Sequence, residues 1–337
     1  MTIKYNIQNQ NNGILIFVEQ SKHEIHSISY ELLSKARELA DQLEINVYAA
    51  CISSDDLNLD ELIYRGADKV YHLQSSYFNY PHELYYSEAL TDLITRLNPG
   101  ICLFGATKFG RSLAPRIAAR LKTGITADCT DLQLDNDKTL IQIRPAFSDN
   151  ILAHITTKTT PQIVTVRHKE FKEAYRDTNR QGEIFTEKYN LSSSDDKLII
   201  KDKIKNEEVD ITNASVVVAG GKGLQSSNDF NILQEFADLL GGTVGASRDA
   251  VEEGFISKEY QIGYSGNRVK PKLYFACGIS GAPQHLAGMI ESETIVAINK
   301  DSSSPIFQVA DYGVIGDWRA VVKKLIDKIN YTKAAEK

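Results

Sequence analysis

Between Val216 and Trp318 the chain sets glycines, hydroxyls and single cations where apolar runs stop. Val216–Ala219 enters the cluster Gly220-Gly-Lys-Gly223, with Leu224 next. Then come Gly245-Ala-Ser-Arg248, Gln261-Ile-Gly-Tyr-Ser-Gly266 and Cys277-Gly-Ile-Ser-Gly281, the last running into Ala282-Pro-Gln-His-Leu-Ala-Gly-Met289. Ala297-Ile-Asn-Lys-Asp301 and Ala310-Asp-Tyr-Gly-Val-Ile-Gly-Asp317 complete the set. A glycine lets backbone amides approach an anion with no Cβ in the way. A single phosphate needs one such loop. Several in one stretch suit a long anionic ligand laid across neighbouring strand ends, as a dinucleotide lies.

Taken singly, each segment has a plain structural reading beside the chemical one. Gly221-x-Gly223-x-x-Ser226 approaches the dinucleotide fingerprint but lacks its third glycine and its ribose-binding acid, and it reads equally as a structural turn. Arg248 stands after the second strand, where that acid belongs, and is either a ligand cation or half of a surface ion pair. Gly278, Ser280 and Gly281 precede a helix with Pro283 in its first turn, and amides there suit a pyrophosphate. His285 lies in the same helix, the one histidine of this half; it is a satisfied side chain or a partner for a ligand carbonyl. Asn299, Lys300 and Asp301 follow an apolar run, at the strand end where open α/β sheets bind ligands.

These residues need a scaffold of strands and helices. In the first half the apolar runs Gly13–Val18, Asn46–Ile52, Val70–Leu73 and Ile101–Gly105 predict fully buried strands. Between them helices are expected at about Ile28–Leu43 with Ser27 as cap, Asp56–Tyr64 stopped by Gly66, Pro81–Leu97, and then Ser112–Leu121. Repeated βα units with nearly continuous apolar strands imply a parallel sheet covered on both faces. Leu140–Arg144, Ile151–Thr156 and Gln162–Val166 read as strands extending that sheet. Glu170–Glu208 is polar and reads as a linker with one strand near Leu198–Ile200. In the second half strands are expected at Ala214–Val218, Lys272–Cys277 and Thr294–Ile298, with helices at Asn228–Leu240 and Val321–Ile329. Tyr331–Lys337 reads as a frayed tail. The domains so drawn are 1–205 and 206–330, followed by the tail 331–337.

Composition narrows the function. The 337 residues allow two domains, 42% are hydrophobic and 24% charged, and the formal net charge is −6. That balance, with no basic cluster, argues against nucleic-acid binding. Cys51, Cys102, Cys129 and Cys277 are scattered and read as reduced, buried residues. The polar start Met1–Asn12 and the lack of an apolar run of ~20 residues point to a cytoplasmic protein with no membrane insertion.

The ordered motifs of the second half resemble the alpha subunit of electron transfer flavoprotein. The resemblance continues through Gly105-Ala-Thr-Lys-Phe-Gly-Arg111, Leu113–Asp128 and Arg144-Pro-Ala-Phe147 in the first half. It implies an α/β protein with an amino-terminal parallel-sheet, nucleotide-hydrolase-like domain that docks a beta subunit. A carboxyl-terminal Rossmann-like domain would bind FAD. By the same resemblance Arg248 would lie over the isoalloxazine near N5, Ser247 near the pyrophosphate or ring edge, and Ser265 would offer a hydroxyl to N5. His285 would face the N1/C2=O edge. Gln261, Ile262, Gly263, Ser280, Gly281 and Gln284 would line ring and pyrophosphate, with Tyr264, Gly266 and Gly278 among them. Asn299, Lys300, Asp301 and Asp317 would meet ribose and adenine, and Gly221–Leu224, with Gly223 and Leu224, would close the cofactor end. Tyr264-Ser265, Pro283, Ser148-Asp149 and Ser302-Ser-Ser304 depart from the family pattern.

The function implied is an electron carrier, not an enzyme with its own substrate. It would accept electrons from flavin dehydrogenases such as acyl-CoA dehydrogenase and pass them to a quinone- or ferredoxin-linked acceptor. An electron-bifurcating, NADH-oxidising complex is the first alternative, and Arg144-Pro-Ala-Phe147 leans toward the branch found in anaerobes. A nicotinamide-dependent dehydrogenase is the second, lacking an evident catalytic dyad. An adenine-nucleotide-binding regulator built on the first domain is the third; Glu19-Gln-Ser-Lys22, not a glycine loop, follows its first strand. Asp128 and Arg144 are expected as members of buried ion pairs.

Overall fold

The computed structural model describes residues 13–21, 24–54, 57–146, 148–191 and 211–335. The chain divides into two compact units, Met1–Ile199 and Ile200–Lys337. The expected boundary at 205/206 and the expected strand near Leu198–Ile200 lie outside the described residues.

The first unit runs β1 (Ile14–Phe17), β2 (Gln20–Ser21), β3 (Glu24–Ile25), α1 (Ser27–Leu43), β4 (Val47–Ser53), α2 (Asp60–Tyr64), β5 (Lys69–Gln74) and α3 (Glu83–Leu97). It continues through β6 (Ile101–Gly105), α4 (Lys108–Leu121), β7 (Ile125–Cys129), β8 (Asp131–Leu134), β9 (Leu140–Ala146), β10 (Ser148–Ile155), β11 (Gln162–Val166) and β12 (Glu183–Lys188). Seven strands form one sheet in the order β12-β5-β4-β1-β6-β11-β7. Every pair in it is parallel. Alternate residues of β1 feed opposite faces: Ile14 and Ile16 pack with Leu32 and Leu39 of α1, and Leu15 and Phe17 pack with Leu90 and Ile117 of α3 and α4. Both faces are therefore closed by helices, as continuous apolar strands require.

Several expectations need correction here. Ser27 does not cap α1; His26 Nδ1 accepts from Ile28 N–H at 3.2 Å. His82 Nδ1 caps α3 in the same way, which leaves Pro81 ahead of the first turn. Helix α2 starts at Asp60, and Asp56 lies outside the described residues. Helix α4 starts at Lys108, well before Ser112, because Thr107 Oγ1 accepts from Gly110 N–H at 2.9 Å. The strands after Gly124 do not simply extend the sheet. β8, β9 and β10 form a separate antiparallel sheet, and β11 inserts between β6 and β7. The polar stretch read as a linker contains β12, an exposed edge strand whose Phe185 stacks on Tyr71 at 5.2 Å.

The second unit runs β13 (Val216–Gly220), α5 (Ser227–Leu239), β14 (Thr243–Ala246), α6 (Arg248–Glu252), β15 (Leu273–Cys277), α7 (Pro283–Leu286), β16 (Ile295–Asn299), β17 (Tyr312–Ile315) and α8 (Trp318–Ala335). Its sheet is parallel throughout, in the order β14-β13-β15-β16-β17. Helices α5 and α8 cover one face, where Val218 meets Leu233, Phe236, Val322 and Ile326. The other face, with Val217, Tyr274 and Ala276, is covered by irregular segments carrying Ile262, Val269, Met289 and Ile306. Residues from Tyr331 to Ala335, expected as a frayed tail, continue α8.

Candidate functional site

Numbered by their order within the second unit, its strands lie 2-1-3-4-5, so the order in which strands are added reverses between β13 and β15. Ligands of open α/β sheets bind outside the carboxyl ends at such a reversal. Ser247 and Arg248 follow β14, Gly278–Gly281 follow β15, Lys300 and Asp301 follow β16, and Asp317 follows β17. Four separate sequence motifs thus meet on one edge of one sheet. Gln261–Gly266 joins them through Ile262 N–H, which donates to Ala246 O at 2.8 Å.

The first glycine cluster takes its structural-turn reading. Gly221 N–H donates to Cys277 O at 2.9 Å and Gly223 N–H to Gly278 O at 3.0 Å. A Cβ on Gly223 would lie 2.8 Å from Gly278 Cα. These glycines let two strand ends approach each other, and their amides are already committed. Leu224 is fully buried in the core under α5.

Arg248 is a half-free cation. Its Nε donates to Glu252 Oε1 at 2.7 Å, and 65% of the side chain stays exposed. Its guanidinium is held charged by the Glu252 hydrogen bond. The surface-pair reading of Arg248 is the one seen, and such a pair is weak enough to be exchanged for a ligand. Ser247 Oγ caps α6 by accepting from Ala250 N–H, which leaves its proton to donate elsewhere. Gln261 Nε2 donates to Ser265 Oγ at 3.1 Å, closing the loop. Tyr264, Ser265, Gly266, Ser280 and Gln284 are exposed around that edge. Gly263, at φ +148°, packs on α7; a Cβ there would lie 2.8 Å from Gln284 O.

His285 is placed deeper than its motif suggests, only 6% exposed. Its Nδ1 lies 3.1 Å from Ile262 O and its Nε2 3.0 Å from Tyr274 Oη. A carbonyl can only accept, so Nδ1 carries the proton and Nε2 accepts from the tyrosine hydroxyl. Burial pushes its pKa down to about 4, so the ring is neutral. Neither partner is a carboxylate, so His285 forms no acid–base dyad of the kind a nicotinamide-dependent dehydrogenase needs.

Toward the far edge, Lys300 Nζ pairs with Asp317 at 2.8 Å, and Lys300 holds the Asp317 carboxyl below its usual range. Asn299 Nδ2 donates to Ile279 O at 2.9 Å and its Oδ1 accepts from Asp301 N–H at 3.0 Å. Asn299 thus shapes the turn, and Lys300 and Asp301 are the exposed members. Sequence reasoning missed Tyr274 and Asn267. A tyrosine inside an otherwise apolar strand was the available signal, because a buried hydroxyl must find a partner. Asn267 Nδ2 donates to Glu259 O and Gln261 O, clasping the loop.

The first unit has its own reversal, between β1 and β6, and its crevice is filled from within. Glu19, 8% exposed, follows β1 and accepts from Thr107 Oγ1, which follows β6, at 2.7 and 2.9 Å. Burial raises its pKa to about 7, against the lowering effect of the Thr107 bond. A carboxylate sits where a nucleotide-binding regulator would need space for an anion. Asp128 pairs with Arg111 at 2.9 Å in a partly exposed bridge, and Arg144 Nε donates to Pro145 O. Among the described residues, neither Asp128 nor Arg144 is shown in a buried ion pair. All four cysteines are free and buried.

The carboxyl edge of the second unit offers a guanidinium, a lysine, hydroxyls on Ser247, Ser265 and Ser280, and side-chain amides on Gln261 and Gln284. That donor set, spread from β14 to β17, fits a flavin dinucleotide in length and polarity. The profile of the electron transfer flavoprotein domain matches residues 14–190, and that of the electron transfer flavoprotein FAD-binding domain matches residues 210–290. An electron transfer flavoprotein subunit alpha from Thermoanaerobacterium thermosaccharolyticum is 44% identical over 96% of this chain and 100% of its own. The Megasphaera elsdenii subunit alpha is 44% identical over 95% and 97%. The lactate dehydrogenase (NAD(+),ferredoxin) subunit LctC of Acetobacterium woodii is 41% identical over 94% of this chain and 77% of its own. FAD is the cofactor of the second unit. The chain belongs to the electron transfer flavoprotein family, as the alpha subunit of a carrier completed by a beta subunit.

Proposed function

We propose that FAD lies along the carboxyl edge of the second unit's sheet, with its flavin end at Ser247–Arg248 and Gln261–Gly266. Its adenosine end belongs at Lys300, Asp301 and Asp317. The meeting of these motifs at one sheet edge, around an exposed guanidinium, carries this reading. FAD supplies the capacity to take up and release electrons. Arg248 offers a charge that persists at any working pH, so it favours added negative charge near N5 without a proton. Ser265 offers a hydroxyl to N5. Gly263, Ser280, Gly281 and Gln284 line ring and pyrophosphate. His285 borders the N1/C2=O edge as a neutral, firmly held imidazole. Gly223 closes the cofactor end by shaping the turn against Gly278.

The carrier reading extends to its partners. Electrons come from a flavin dehydrogenase, such as an acyl-CoA dehydrogenase, and leave to a quinone- or ferredoxin-linked acceptor in the cytoplasm. Among the described residues, no helix is long and apolar enough to cross a membrane. The name of the Acetobacterium woodii relative, with NAD(+) and ferredoxin, favours a second reading: a subunit of an NADH-oxidising, bifurcating complex. The test is purification with the beta subunit, FAD counting, and flavin reduction by NADH. A heterodimer with no FAD in the second unit ends the site assignment, and rapid bleaching by NADH selects the bifurcating reading.

A further inference from the structure

We propose that Tyr274 is a positioning residue of the FAD site, acting through His285 to hold the Gln261–Gly266 loop against the sheet. This rests on the FAD site assigned above. Tyr274 is fully buried in β15, between apolar neighbours, and its hydroxyl meets His285 Nε2 at 3.0 Å. His285 Nδ1–H in turn donates to Ile262 O at 3.1 Å, and Ile262 N–H donates to Ala246 O at 2.8 Å. The peptide flanking Ile262 is thus tied on one side to the strand end that carries Ser247 and Arg248, and its carbonyl on the other to α7.

The tyrosine hydroxyl fixes this brace at its far end. With Nδ1–H committed to Ile262 O, the Nε2 lone pair needs a donor in a dry site, and among the described residues Tyr274 supplies it. The imidazole therefore has one tautomer and one orientation. The charged group bearing on it is Asp249, and Tyr274 itself stays protonated because burial, with Cys277 nearby, pushes its pKa far up. A Phe at 274 keeps the packing and removes only the donor. The ring is then free to tilt, and the loop carrying Gln261, Gly263 and Ser265 loses its fixed distance from Arg248.

The experiment compares wild-type and Tyr274→Phe heterodimers by FAD titration and by 15N spectra of cofactor-free protein. His285 is the one histidine of the second unit, so a second sample carrying His285→Gln identifies its signals. The expected wild-type spectrum shows a protonated Nδ1 and a hydrogen-bonded, unprotonated Nε2. Tyr274→Phe should move Nε2 to the position of a bare lone pair and weaken FAD binding about tenfold. His285→Leu deletes the acceptor, so adding Tyr274→Phe to it should leave FAD affinity within about twofold. Equal losses in both backgrounds, or a wild-type Nε2 that carries the proton, overturn the proposal. Failure of the wild type itself to bind FAD would end the site assignment instead, and the cofactor-free spectra would still decide whether Tyr274 holds His285.

Discussion

The two units share one architecture and treat the same place in it in opposite ways. In each, a parallel sheet switches its strand order beside its first strand, the place where open α/β sheets leave a crevice at the carboxyl ends. The first unit closes both sheet faces with helices and fills its crevice with Glu19 and Thr107. The second covers one face with irregular segments, among them the loop around Ile262 that the proposal places at the flavin. The fold offers a ligand site twice. What sits beyond the strand ends decides whether it is used, which is why function must be argued from the site.

The contrast predicts opposite responses to pH, each on the order of 3 kcal/mol. Glu19 has a folded-state pKa of about 7, above the ordinary 4.5. Its contribution is complete below pH 4.5 and is lost as pH rises through 7. His285 has a folded-state pKa of about 4, below the ordinary 6.5. Its contribution is complete above pH 6.5 and is lost as pH falls through 4. Hydrogen exchange of the heterodimer, followed separately over Ile14–Leu191 and Val216–Trp318, should show protection moving in opposite directions. Glu19→Gln should flatten only the first slope and His285→Gln only the second. Parallel slopes in both units would break the comparison.

Next in size is Arg248→Ala. Loss of a fixed charge at its proposed place by the flavin should lower the potential of the first electron. Spectroelectrochemical titration reads this directly, and an unchanged potential removes Arg248 from its assigned role. Thr107→Val tests the other crevice. It deletes the α4 cap and the donor to Glu19, at a cost of about 1–2 kcal/mol to the first unit. FAD affinity should not change, because the residues proposed to hold FAD all lie in the second unit. Urea denaturation and FAD titration together separate the two effects.

How much of this was legible in the sequence depends on how local the cause is. Strands β1, β4, β6 and β15 are continuous apolar runs, and their period alone places them. β12 was hidden because Glu183, Glu187 and Lys188 make an edge strand look like a linker, and its pairing to β5 is entirely nonlocal. β7 and β8 mix Thr126, Asp128 and Asp131 into short segments that periodicity cannot resolve. At the proposed site, motif order pointed to one sheet edge, since every motif but Gln261–Gly266 follows a strand. The use of each group was not legible. Gly223 serves Gly278, Asn299 serves Ile279, and Tyr274 serves His285, all choices made by tertiary neighbours.

The smallest expected effect on stability bears most sharply on the comparison. In the first crevice the polar groups are buried and bonded to each other, so changing one is felt by the fold. At the second edge Lys300 and Asp317 pair with side chains 70% and 43% exposed. An exposed pair of this kind contributes at most about 0.5 kcal/mol, because water competes for both partners. Lys300→Met should therefore leave the denaturation midpoint nearly unmoved. If the same lysine meets the adenosine end of FAD, its removal should still weaken FAD binding several-fold, and the loss should shrink as salt rises. A stability cost larger than the binding cost would mean that Lys300 is structural, and the adenosine end would have to be placed elsewhere along β16 and β17.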